Sequence, residues 1–183
     1  QNIPADSDHN KKDLRRYIRA PIMNRISDDD LEEGVRILAK KSQNVFIYVG
    51  FAIEMLHTQD TVSLDNLRNF PDGVYGYYDK QFERLLGEKH DYSSDVSPEW
   101  RIINAVVAAR QTLHEKSLEL LINCTAYERE TAVANISTLF PVRDHRLHVF
   151  HKSVKDWLVD PGRERVKLKE DHHTLGQRCY EIL

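Results

Sequence analysis

The chain has 183 residues, of which 30% are charged and 40% hydrophobic, with a formal net charge of -3. That length holds one or two small domains with a real core. The balance excludes a disordered or fibrous chain, and the mild negative charge argues against a dedicated nucleic-acid binder, which carries a basic face. The longest apolar run, Val45 to Ile53, is too short to span a bilayer. No charged-then-apolar leader opens the chain. Cys124 and Cys179 lack metal-ligand spacing and read as buried free thiols inside helices, so a reducing, cytoplasmic setting is expected.

Residues 1–12 form a polar lead-in without an initiator methionine, and the last helical pattern runs to Leu183 without a stop, as in an excised fragment. Asp13 to Ile18 reads as a short helix closed by Ala20-Pro21, because the residue before proline is pushed out of the α region. Ser27 then caps a helix whose first turn holds Asp28, Asp29 and Asp30, with Leu31, Val35 and Leu38 as its apolar stripe. Ser42-Gln43-Asn44 interrupts. A second stripe, Val45, Val49, Ile53 and Leu56, predicts a more buried helix. Phe70-Pro71-Asp72-Gly73 is turn chemistry. Val74, Tyr77, Tyr78, Phe82, Leu85 and Leu86 follow as an aromatic-rich helical face ending near Gly87, a glycine suited to a C-cap. Lys89 to Val96 has no periodicity and reads as a linker between two subdomains.

Ser97-Pro98-Glu99 starts the next helix with a cap and a proline at the first position, and Ile102, Ile103, Val106 and Val107 form its core face. After a break at Thr112-Leu113-His114, helices are expected over Ser117 to Ile122 and Glu128 to Ile136. Two strands, Leu139 to Val142 and Arg146 to Phe150, flank an Arg143-Asp144-His145 loop. Three helices followed by a two-stranded wing predict a winged helix. The run from Leu147 to Leu158 changes period at His151, from strand alternation to the helical spacing of Val154, Trp157 and Leu158. This histidine therefore sits where a strand hands over to a helix, beside the first free backbone N–H groups, a good place to hold an anion.

Other chemistries are weaker. His145, His148 and His151 alternate faces of a strand, so they cannot share one metal. His172-His173 and Cys179 share a helical face without a fourth ligand and read as capping and packing residues. Ser153 with His151 and Asp156 lacks the glycine-flanked elbow of an exposed nucleophile. The helix placed to read DNA, Tyr127 to Ser137, carries Glu128, Arg129 and Glu130, a net negative charge. Arg163, Arg165, Lys167 and Lys169 form the one basic cluster recognised, read as an exposed edge strand around Val166 and Leu168.

Several of these runs, in order, resemble one family. Asp13-Leu14-Arg15-Arg16-Tyr17-Ile18, then Leu38 to Tyr48, then Leu64, Leu67, Phe70-Pro71, Val74, Tyr78 and Phe82, are similar to segments that follow the nucleotide-binding core of NACHT-type signal-transduction (STAND) ATPases. The His151 run resembles the end of their winged-helix module. Asn44 stands where that pattern usually has glycine, and Phe46 where many relatives have proline. The resemblance implies a mainly α fold: a helical lid over residues 13–88, a winged-helix domain over 96–165 with a small two-stranded β wing, and the start of a connector helix over 166–183. It implies that His151 touches the phosphates of ADP or ATP held by an upstream core of the same chain. It also implies a downstream repeat domain and homo-oligomerisation on activation; the short apolar runs and the acidic Tyr127 to Ser137 helix make neither a membrane nor nucleic acid an expected partner. No G-x-x-x-x-G-K-[ST] run is present, so the chain is expected to hold no cofactor alone and not to be an enzyme by itself. The alternative is a winged-helix module for nucleic acid or protein interaction.

Overall fold

A computed structural model describes residues 7–57, 61–87, 97–162, 165–166, 173 and 176–177. Among them the protein is mainly helical, with nine α-helices and a two-stranded antiparallel sheet. No helix among the described residues is long and apolar enough to cross a membrane. The chain forms two units that divide between Gln81 and Phe82. The expected linker, Lys89 to Val96, lies outside the described residues, as does nearly all of 166–183.

In the first unit, α1 (Asp8–Ile22) is longer than the sequence predicts at both ends. It begins inside the polar lead-in, where Ser7 Oγ accepts the Asn10 N–H at 3.2 Å, and it contains Pro21. Leu14, Ile18 and Ile22 lie on one stripe and are fully buried. A proline in the last turn removes only one helical bond, and burial of Ile22 outweighs the steric push on Ala20. This stripe packs on α2 (Leu31–Lys41). Ser27 caps the 3-10 turn Asp28–Asp30 that leads into α2, whose Leu31, Val35 and Leu38 are buried as expected. Ser42 is fully buried and its hydroxyl donates to the Ala39 carbonyl, breaking the run. Asn44 follows at φ +63°, a conformation that favours glycine or asparagine. In α3 (Phe46–His57) the buried face is Tyr48, Val49, Phe51, Ala52 and Leu56. Val45 and Ile53 are only half-buried, because the aromatic residues take the core positions. A capping box between Ser63 and Asn66 opens α4 (Leu64–Arg68). α5 (Gly73–Leu86) adds Tyr77, stacked on Phe51 at 4.1 Å, and ends as expected at Gly87, whose φ is +96°.

The second unit starts with Phe82. Ser97 caps α6 (Pro98–Ala108), accepting the Trp100 N–H at 3.3 Å. α7 (Ser117–Ile122) ends at Asn123 in the left-handed conformation. α8 (Ala126–Ile136) opens with a capping box of Thr125 and Glu128. Hydrogen bonds from Thr125 hold the Glu128 carboxyl below its ordinary value. Its ionised form is thus favoured by folding, so its stabilisation is complete above the unfolded value near 4.5 and is lost as the pH falls through the lower folded value. Amide exchange at Thr125 should accelerate across that acid window in the wild type and show no such step in Glu128→Gln.

The wing is shorter than expected. β1 (Val142–Arg143) and β2 (Arg146–Leu147) pair antiparallel, Val142 opposite Leu147. The loop between them is only Asp144-His145, both at positive φ, as a two-residue hairpin turn requires. The same register continues one-sidedly: His148 N–H donates to Pro141 O at 3.0 Å and Phe150 N–H to Leu139 O at 2.9 Å. Pro141 has no N–H to return, so the regular ladder stops. The Thr112 to His114 break is itself paired. His114 bridges Arg146 antiparallel, and Leu147 N–H donates to Leu113 O at 2.9 Å. After α9 (Lys152–Leu158), the chain returns onto it. Val166 N–H bonds Leu158 O, and Arg165 is buried over the Trp157 ring, 3.7 Å from its centroid. The expected exposed basic edge is thus overturned for Arg165 and Val166, because a large aromatic face is available to cover. Arg163, Lys167, Leu168 and Lys169 lie outside the described residues.

Candidate functional site

His151 is the N-cap of α9, with extended backbone at φ -150° and ψ 148°. Its Nδ1 accepts the Ser153 N–H at 3.2 Å and lies 2.7 Å from Ser153 Oγ. Because Nδ1 is an acceptor, the proton of the neutral ring is assigned to Nε2. The side chain is exposed, and Nε2 has no partner among the described residues. The ring therefore lies at the helix start and takes up one of its N–H groups, that of Ser153. What remains outward is a single imidazole donor on a fixed ring. His148 is half-buried, whereas Phe150 and His151 are exposed.

Ser153 and His151 do meet, but as a local cap two residues apart. Asp156 pairs instead with Lys152 at 3.3 Å and does not orient the ring, so the trio lacks the relay of a nucleophile. His145 is drawn elsewhere: its Nδ1 lies 2.8 Å from Glu115 Oε1 and its ring stacks on His114 at 6.0 Å. His145 holds the Glu115 carboxyl below the usual carboxylate range. Sequence reasoning missed this cluster because Thr112-Leu113-His114 read as a break and Glu115 was given no role. No group of three or more His, Cys, Asp or Glu among the described residues could hold a metal.

Cys124 lies in the turn between α7 and α8 rather than in a helix, is half-buried, and has its thiol pushed up by burial. His173 is exposed, and His172 and Cys179 lie outside the described residues. On α8 the lone cation, Arg129, is bound to Glu119 at 3.1 Å and Glu130 at 2.8 Å. The cleft beside α8, about 470 Å³, is also lined by Glu115 and Glu130.

Comparison with protein families, with curated proteins and with solved structures returns no match to this chain.

Proposed function

We propose that the chain is the lid and winged-helix portion of a NACHT-type signalling ATPase, relaying the nucleotide state of an upstream core to flanking domains. The observation that carries the reading is His151: a capped imidazole at the wing-to-helix junction, with Nδ1 occupied and the Nε2 donor turned outward. Two further features support it. The order α6, His114 bridge, α7, α8, β1, β2 suits a winged helix, and Asn44 at positive φ stands where the resembling pattern has glycine. In the ADP state Nε2–H donates to a phosphate oxygen and holds the closed arrangement. Exchange of nucleotide removes that bond and shifts the population to the open one.

On this reading the 183-residue chain alone turns over no Mg-ATP and shows no preference for adenosine nucleotides over base-free polyphosphate. Phosphate release assays and calorimetry check this. Turnover, or micromolar binding that requires the adenine base, would overturn the assignment.

DNA binding is expected to be weak, because Arg129 is neutralised and α8 faces carboxylates. Titration with duplex DNA at two salt concentrations should give a steeply salt-dependent, sequence-independent affinity. A nanomolar, sequence-selective complex at physiological salt would instead make α8 a reading helix.

A further inference from the structure

The first unit contains a cleft of about 450 Å³ between α1 and α2, lined by Lys11, Arg15, Arg36, Lys40, Gln43 and Asn44, with no carboxylate in its lining. Its volume falls in the range of small-ligand sites. The cations come in two i, i+4 pairs, one on each wall. Arg36 is held in a fork by Glu33, at 2.7 and 2.6 Å. The side chains of Lys11, Arg15 and Lys40 make no hydrogen bond or ion pair among the described residues, unlike Arg19, which pairs with Glu32 on the same two helices. The turn at the end of the cleft is anchored, since Asn10 Nδ2 donates to the Asn44 carbonyl at 3.2 Å. Three cationic side chains without an ion pair among the described residues thus line one cleft of a chain whose net charge is -3. Cations gathered on one cleft whose lining holds no carboxylate raise the local potential and favour a multivalent anion. The cations stand on two different helices, so two or more linked phosphates can meet an arginine fork on one and an ammonium on the other.

We propose that this cleft binds a compact anion carrying two or more phosphate groups, free or as a lipid headgroup, independently of the His151 site. Calorimetry of the 183-residue protein with inorganic tripolyphosphate should show saturable one-site binding that weakens as salt rises. The double variant Arg15→Glu/Lys40→Glu should weaken it by at least about tenfold with an unchanged circular dichroism spectrum. Arg143→Glu, which reverses an exposed cation of the second unit, should leave it unchanged. Absence of saturable binding, or an equal loss in Arg143→Glu, overturns the proposal. Vesicles of phosphatidylcholine containing a phosphatidylinositol bisphosphate are then compared with phosphatidylserine vesicles of equal charge. Recruitment to the former alone, displaced by tripolyphosphate, upholds the site with a headgroup as source. No recruitment to either, with tripolyphosphate binding intact, upholds it with a free anion. Equal recruitment to both means diffuse attraction and overturns it.

Discussion

Trp157→Ala should destabilise the second unit by about 3–5 kcal/mol, the range for emptying a buried large aromatic site. Trp157 is fully buried. Its ring packs on Phe82 at 4.5 Å, and Phe82 in turn meets Trp100 edge-on at 6.4 Å. Arg165 also lies over the ring and donates to the Trp157 carbonyl at 3.0 Å. Truncation therefore opens a cavity and strips the guanidinium of its aromatic partner, the latter adding about 0.5–2 kcal/mol. Trp157→Phe keeps the apolar contact with Phe82 and should lose roughly half as much. Urea unfolding followed by circular dichroism reads both. A loss within about 1 kcal/mol for the alanine variant, the scale of an ordinary surface change, would show that this aromatic cluster does not hold the unit together.

The second large effect concerns His151. If Nε2–H donates to a phosphate, its removal withdraws one charge-assisted bond, about 1.5–3 kcal/mol, from the closed state alone. Nucleotide affinity then falls by roughly tenfold to a hundredfold. The cap complicates the alanine variant, because Nδ1 also serves the Ser153 N–H, and loss of an N-cap costs about 0.5–2 kcal/mol of stability. His151→Asp separates the roles: a carboxylate caps α9 well but offers no donor and repels phosphate. Stability should therefore be lower in His151→Ala and restored in His151→Asp, while nucleotide affinity should fall in both.

The helix starts at Ser27 and at Ser97-Pro98 were legible from their caps, and so was the glycine stop at Gly87, whereas the caps at Ser7, Ser63 and Thr125 went unread. Local chemistry decides those positions. Where tertiary packing decides, the sequence misled. Ile22 draws α1 through Pro21, Trp157 pulls Arg165 into the core, and the Leu113–Glu115 segment pairs with β2 through backbone groups that leave no mark on periodicity. Alternation placed His151 correctly at a junction of elements. It could not show that the ring would turn back to cap its own helix, since that depends on χ angles rather than on spacing. The basic cleft was readable only as Lys11/Arg15 and Arg36/Lys40, two i, i+4 pairs on separate helices that nothing in the sequence brings together.

The most direct measurement of the central claim is ADP affinity, by calorimetry, in the longer protein carrying the nucleotide-binding core that the reading requires. Wild type is compared with His151→Asp and with His148→Ala, the half-buried neighbour. The account predicts ADP binding weakened by about tenfold or more in His151→Asp and unchanged in His148→Ala. ADP bound as tightly by His151→Asp as by wild type would contradict it and leave His151 as the cap of α9 alone.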